Sequence, residues 1–293
     1  MSLGIALAGG GLKGTCYIGV FKALEELNIK IDYLSGASSG SLIASMYAMG
    51  YKPEEMKELL LKHYKQIIAI NKLSIIAEAK TYLIKKKINM EGLIPGEKIE
   101  NLVNEIASKK GLEKISDVKL PFAVATVDTI TTKECIFLSR KYDLKKEDVE
   151  YIYDIKIGKA VRASMAFPGI FTTCSFEKYN FIDGGTKDNL PVEVLKDMGA
   201  DKTIGINFNL DPYDPEGKNI FDVILRATDI FSLKDVLRGQ KKSDLSITID
   251  VPESSLLSMD NIDKNIKIGY DVIMKNKEKI LDLQKGGYDA RKI

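Results

Sequence analysis

The chain has 293 residues, 45% of them hydrophobic, with 43 Lys and Arg against 41 Asp and Glu and a formal charge of +2. That length and apolar share suit a single α/β domain with a sizeable core, and the near-balanced charge excludes a nucleic-acid binder, which gathers basic residues far more strongly. Cys16, Cys135 and Cys174 are far apart and form neither a CxxC pair nor a cluster with metal-ligand spacing, so they read as buried free thiols in a reducing compartment.

Residues 3–8 are a short apolar run that predicts a buried first strand. A signal peptide is the poorer reading, because no basic region precedes the run and Gly9, Gly10, Gly11 and Lys13 follow at once. The spacing of Ile18, Phe21, Leu24 and Leu27 predicts a helix over 15–27. A second strand is expected at 31–34, then a helix over 39–49 stopped by Gly50. Two strands joined through a helix imply a right-handed crossover and a parallel sheet.

From 53 to about 108 the pattern is mostly helical and rich in lysine, with helices expected at 54–70 and 73–87, a loop at 92–96 and a helix to 106. This segment is expected to be a helical insertion beside the sheet. Within it, Lys80, Lys85, Lys86 and Lys87 surround Tyr82, Leu83 and Ile84. The stretch 73–87 reads either as a solvated helix with a basic face or as an interfacial lid whose lysines meet anionic head groups.

Further strands are expected at 122–127, 134–138 and 203–208, with a helix at 192–198. The chain closes with a helical extension from about 218 to 293, containing a helix at 220–241, a strand at 245–251 and one long helix at 262–283. No repeat, low-complexity tract or long linker divides the sequence, so 1–293 is expected to be one domain. No apolar run approaches membrane-spanning length, which points to a cytoplasmic protein, at most peripheral to a membrane.

Gly36-Ala37-Ser38-Ser39-Gly40 lies between a predicted strand and a predicted helix. A nucleophile elbow holds its serine in a strained backbone at such a turn, and flanking glycines keep side chains off the neighbouring elements. The turn lifts the hydroxyl to the carboxyl edge of the sheet, where open α/β folds bind ligands. It also sets the serine at a helix N-terminus, which favours developing negative charge. A serine that merely caps the helix is the plainer alternative.

Gly9-Gly10-Gly11-Leu12-Lys13-Gly14 follows the first strand and opens the first helix. Taken literally it satisfies the dinucleotide fingerprint GxGxxG, with Asp32 near the distance of a ribose-binding acid. However, Asp32 falls at the start of the second strand, whereas a ribose acid belongs at its carboxyl end. The other use of consecutive glycines is an oxyanion hole, in which bare N–H groups of Gly9, Gly10 and Gly11 approach a substrate oxygen. Gly14 then allows close helix packing, and Lys13 is either a surface residue or a brace for an anionic group.

A serine hydroxyl needs a proton acceptor within hydrogen-bonding reach. The single histidine, His63, lies in a lysine-rich amphipathic helix and reads as an ordinary core-edge or solvated residue, so the base is expected to be a carboxylate. Asp183-Gly184-Gly185 ends a short apolar run and begins a turn. Asp-Gly is also a routine turn signal. With a reference pKa of about 3.9, the aspartate must be desolvated or tightly placed to act as base near neutrality.

Taken in order, Gly9–Gly14, Gly36–Gly40, Arg162-Ala-Ser-Met-Ala-Phe-Pro-Gly-Ile-Phe171, Asp183–Gly185 and Asn189-Leu-Pro191 resemble the patatin-like phospholipases. The resemblance is clearest over 3–50 and 120–210. It implies a three-layer α/β/α fold with a mostly parallel central sheet, and a metal-free, cofactor-free Ser–Asp dyad that cleaves lipid esters through an acyl-enzyme. In these terms Ser38 is the nucleophile, Asp183 the proton acceptor, and Gly10 and Gly11, with Gly9, the oxyanion hole. Gly36, Gly40, Gly184 and Gly185 support the turns. The family usually has arginine where this chain has Lys13, and lysine lacks the planar fork that binds phosphate at two points. Two other classes stand beside this reading: a nucleotide-binding oxidoreductase that uses Gly9–Gly14, and a non-catalytic lipid-binding protein.

Overall fold

In chain order the strands are β1 (Leu3–Leu7), β2 (Tyr33–Ala37), β3 (Gly92–Ile94), β4 (Phe122–Asp128), β5 (Glu134–Leu138), β6 (Val149–Ile152), β7 (Gly169–Phe171), β8 (Cys174–Phe176), β9 (Tyr179–Asp183), β10 (Lys202–Phe208) and β11 (Leu245–Ile249). The α-helices are α1 (Cys16–Glu26), α2 (Ser39–Ala48), α3 (Pro53–Ile67), α4 (Glu97–Lys109), α5 (Ile157–Ser164), α6 (Glu193–Asp197), α7 (Ile220–Lys242), α8 (Ile262–Lys275) and α9 (Lys277–Lys285). The computed structural model describes residues 1–67, 92–209, 220–251 and 261–286. The segment 73–87, expected as a helix and candidate lid, lies outside the described residues.

Every residue of β1 is buried, as a parallel strand covered on both faces requires. Leu3, Ile5 and Leu7 enter the main core with Phe21, Leu24 and Phe122. Ala6 and Ala8 face the other way, onto Leu190, Val192 and Leu195. Helices therefore cover both faces, giving three layers. Full burial of a side chain such as Phe21 or Phe122 contributes roughly 1.5–3 kcal/mol.

The sheet order is β11-β10-β1-β2-β4-β5-β6, with β8 and β9 attached beside β4. From β11 to β4 all pairs are parallel. β5 and β9 pair antiparallel to β4. The mostly parallel three-layer architecture expected from the sequence is the one observed.

The C-terminal segment is continuous with this body. β11 forms an edge strand on β10, and α8 crosses α1 where Gly19 and Gly269 let the backbones touch. A Cβ at Gly19 would lie 1.8 Å from the Ile266 carbonyl oxygen, and one at Gly269 would lie 1.9 Å from that of Cys16. At the other end, Arg162 of α5 is buried and ties α4 down through Glu97 and Glu100, at 2.8 and 3.1 Å.

Three local expectations need correction, and some short strands were not expected at all. The loop expected at 92–96 contains β3, which pairs with β7 in a separate two-stranded sheet; a three-residue strand gains its identity from a distant partner. The second strand runs Tyr33–Ala37 rather than 31–34, because Ser35, Gly36 and Ala37 pair onward with β4. The short β6 and β8, each paired with a neighbouring strand, carry no strong pattern in the sequence. The helix expected over 262–283 breaks at Asn276, whose side-chain Nδ2 donates to the Val272 carbonyl at 2.9 Å; asparagine side chains compete with the helical backbone in this way.

Candidate active site

β2 and β9 meet end to end on one edge of β4. Ala37, the last residue of β2, lies opposite Ala125, and Asp183, the last residue of β9, lies opposite Thr126. β5 occupies the other edge of β4 over the same span. The residue following β2 therefore faces the residue ending β9. Ser38 Oγ donates to Asp183 Oδ2 at 2.6 Å.

Ser38 has φ 49° and ψ −128°, a left-handed backbone that non-glycine residues adopt only under strain. Its N–H donates to Ser164 Oγ at 2.9 Å. Its carbonyl accepts from the Ser41 hydroxyl at 2.6 Å and from the Ser41 and Leu42 amides that begin α2. The turn is tight enough to need Gly40, where a Cβ would sit 2.4 Å from the Leu7 carbonyl oxygen. A Cβ at Gly36 would collide with the Gly40 and Ser41 backbone.

Asp183 is 2% exposed. Its second oxygen, Oδ1, accepts the Gly185 N–H at 2.8 Å. Burial pushes its carboxyl up from 3.8 to about 7, a rise that the Ser38 hydroxyl and the Gly185 amide hold back. Gly184 passes directly over β4, since a Cβ there would lie 2.2 Å from the Ala125 carbonyl oxygen.

The glycine loop closes the third side. Gly9 N–H donates to Asn189 Oδ1 at 2.9 Å and faces the Asn189 carbonyl at 3.3 Å, so it is already engaged. Gly10 N–H reaches Ser39 Oγ at 3.2 Å. Gly11 has φ 57°, and its N–H has no acceptor among the described residues. Gly14 packs against Ser39, where a Cβ would be 2.7 Å from the hydroxyl oxygen. Lys13 Nζ approaches the Asn209 carbonyl at 3.4 Å.

Asn189, Ser164 and Ser39 were not singled out as functional residues from the sequence. Asn189 Oδ1 bridges two loops: it is 2.6 Å from the position of a Gly9 Cβ and 2.8 Å from that of a Gly185 Cβ. The only sequence signal was its place in the Asn189-Leu-Pro191 stretch.

His63 is buried on α3, and among the described residues its Nε2 has no hydrogen-bond partner and no hydrogen bond joins it to Ser38 or Asp183. Asp32 accepts the Leu3 N–H at 3.0 Å, which pins it at the amino end of β1, opposite the glycine loop. A ribose-binding acid cannot serve that loop from there. The three cysteines are buried free thiols, each raised to about 11 or 12 by burial. Among the described residues no three His, Cys, Asp or Glu side chains converge as metal ligands.

A serine on a strained strand-to-helix turn, facing a buried carboxylate directly, defines a paired Ser–Asp site on a three-layer α/β/α fold. The model of the patatin-like phospholipase family matches residues 5–196, and the chain belongs to that family. It is 25% identical over 205 residues to an uncharacterized NTE family protein of Mycobacterium bovis, covering 70% of this chain and 48% of that protein. It is 26% identical over 208 residues to human patatin-like phospholipase domain-containing protein 6, covering 70% and 13%, and 26% identical over 219 residues to lysophospholipase nte1 of Emericella nidulans, covering 74% and 12%. The chain thus spans less than half the length of these curated relatives. Among solved structures, VipD of Legionella pneumophila superposes with a TM-score of 0.50 at 17% identity, covering 96% of this chain and 66% of that one. ExoU in the ExoU–SpcU complex of Pseudomonas aeruginosa gives 0.51 at 16%, covering 96% and 52%. Both likenesses are of fold.

Proposed function

We propose that the protein is a serine acyl hydrolase of lipid carboxylic esters, acting through an acyl-enzyme on Ser38 with Asp183 as general base. The observation that carries this reading is the 2.6 Å contact between Ser38 Oγ and Asp183 Oδ2, made without an imidazole between them. In the first half-reaction Asp183 takes the hydroxyl proton as Oγ attacks the acyl carbonyl. The oxyanion is received by the Gly11 N–H and by that of Gly10, which exchanges its Ser39 contact for the substrate oxygen. Collapse expels the alcohol, which leaves with the proton held by Asp183. Water then attacks the acyl-enzyme as Asp183 takes its proton, and collapse breaks the bond to Ser38 Oγ, which recovers that proton from Asp183 as the carboxylic acid is released. The start of α2 adds a favourable dipole at the developing charge. Lysophospholipids and phospholipids are the substrate classes to assay, in line with the family and with the lysophospholipase name of one relative. A fluorophosphonate probe is expected to label Ser38, with the adduct located by peptide mass spectrometry; a label elsewhere, or none, overturns the reading.

The pH profile provides a second test. Asp183 accepts a proton only when ionised, and its carboxyl is pushed up to about 7 by burial. Activity on a soluble ester is expected to fall on the acid side with a midpoint near 7 rather than near the ordinary value of 3.8. Histidine titrates at about 6.5 in model peptides, so His63→Ala separates the two sources. The midpoint should stay in place in that variant, and its loss would transfer the base to His63.

Asn189 positions the glycine loop against the Asp183 turn. Asn189→Ala is expected to lower kcat about tenfold or more, with a small change in KM, because the loop presents oxyanion donors that act in the transition state. Asn189→Asp keeps an acceptor for Gly9 but sets a second carboxylate beside Asp183. Like charge at that distance raises the pKa of the base, so the acid midpoint of this variant should move to higher pH. An unmoved midpoint would reduce Asn189 to a packing role.

A further inference from the structure

Among the described residues, most of the large apolar side chains left in solvent belong to one helix. Phe231 is 73% exposed and Ile230 56%, and Val223, Leu233 and Leu237 are also exposed. Val223, Ile230 and Leu237 recur every seven residues, which sets them on one face of α7. Ser232 and Gly239 mark the opposite, inward face: Ser232 is buried, and a Cβ at Gly239 would lie 2.6 Å from the Leu190 carbonyl oxygen. Lys234 and Lys241 are exposed and lie three or four residues from Ile230 and Leu237, so they share the outer face. Neither forms an ion pair among the described residues. Arg238 and Lys242, by contrast, are held by Glu193.

α7 is anchored by its last turns at the edge that carries the site. Gln240 donates to Asn207 near the carboxyl end of β10 at 3.1 Å, and Gly239 packs on Leu190 beside Asn189. The preceding turns therefore run outward from that edge, and the stretch 223–237 spans about 21 Å. Ile130, 66% exposed, sits on the β4–β5 turn. That turn follows the carboxyl end of β4 and so belongs to the same edge.

We propose that the outer face of α7, with the Ile130 turn, is a docking surface for a lipid layer bearing anionic head groups, which brings the mouth of the Ser38 site to esters held in that layer. The docking contact stands on the exposed stripe and its lysines; its use in turnover rests on the acyl-hydrolase reading. A stripe of large apolar residues interleaved with unpaired lysines suits an interface of this kind, with the apolar side chains entering the acyl boundary and the ammonium groups at head-group level. Among the described residues no helix is long and apolar enough to cross a membrane, so the contact is along the surface. A second copy of the chain is the poorer occupant, since self-complementary packing of this face would bring Lys234 and Lys241 toward their own counterparts.

The test uses the full chain with vesicles of phosphatidylcholine alone and of phosphatidylcholine with phosphatidylglycerol, read by co-sedimentation and by ester turnover. Wild-type protein is expected to bind the anionic vesicles and to release from them as salt is raised. Ile230→Glu with Leu237→Glu should reduce the bound fraction about tenfold or more and lower turnover of vesicle-borne ester, while hydrolysis of a soluble short-chain ester stays within about twofold. Lys234→Glu with Lys241→Glu should weaken binding to the anionic vesicles. Unchanged vesicle binding in both double variants overturns the proposal. So does a dimer in analytical ultracentrifugation that Ile230→Glu with Leu237→Glu dissociates in the absence of vesicle binding. Wild-type protein that binds vesicles yet turns over no ester of either kind refutes the hydrolase reading and leaves the docking surface standing.

Discussion

Replacing Ser38 with alanine is expected to lower ester turnover by roughly 10⁴–10⁶-fold while the protein stays folded. The size of the loss follows from the absence of another nucleophile on the Asp183 carboxylate: its Oδ2 receives the Ser38 hydroxyl, and its Oδ1 receives only a backbone amide. The fold should survive because what ties the turn down is backbone and neighbouring side chains. The Ser38 N–H bond to Ser164 and the Ser38 carbonyl bonds to Ser41 and Leu42 do not involve Oγ. Removing the hydroxyl also deprives Asp183 of one of the two groups that stabilise its ionised form, so the carboxyl of the variant should titrate higher still. Initial rates on a chromogenic ester, paired with a thermal melt, check both halves. Retention of more than about 1% of wild-type turnover would remove Ser38 from the nucleophile role.

Asp183→Asn should be nearly as damaging to activity and should have the opposite effect on stability at alkaline pH. Asparagine cannot take the serine proton, so a loss of roughly 10³–10⁴-fold is expected. The stability effect follows from linkage. The folded-state carboxyl sits at about 7, above its ordinary 3.8, so the native state holds this proton more tightly than the unfolded chain does. Its favourable contribution is complete below about 3.8, declines between there and about 7, and is gone above about 7, where a buried carboxylate remains. The interval from 3.8 to about 7 corresponds to no more than about 4 kcal/mol. An uncharged amide of the same shape escapes this loss. The variant should therefore melt several degrees above wild type at pH 8, at about 2–4 °C per kcal/mol, and the gap should narrow as pH falls toward 4. A gap that is independent of pH, or a variant less stable than wild type at pH 8, would show that Asp183 is not a desolvated carboxylate.

Much of the local structure was legible in the sequence, and the reasons are local. Gly36, Ser38 and Gly40 are near neighbours, and Gly36 is required by the Gly40 and Ser41 backbone only a few residues on, whereas Gly40 answers to the Leu7 carbonyl of β1. β5 was expected at 134–138 and runs over those residues, since an apolar run bounded by polar residues is a strong strand signal. The elements that escaped notice depend on distant partners. β3 is a strand only because Phe171 and its neighbours pair with it, and the break at Asn276 depends on one side chain turning back to the helix.

The sequence by itself determined which chemical groups exist: a serine between two glycines at a strand-to-helix junction, a run of glycine amides, an Asp-Gly-Gly turn, and a single histidine in a lysine-rich helix. Sterics and hydrogen bonding within a few residues favour such turns, and distant groups such as the Ser164 hydroxyl then hold them. Tertiary structure alone decided that Ser38 and Asp183, 145 residues apart, should touch, and that Asn189 should occupy the Gly9 amide and leave Gly11 open. The first outcome follows from β2 and β9 ending against each other on the same edge of β4, and the second from the Asn189 side chain and carbonyl both facing the Gly9 N–H across 180 residues. Strand partners are chosen by long-range pairing and by the burial of both sheet faces, to which no short window of sequence is sensitive.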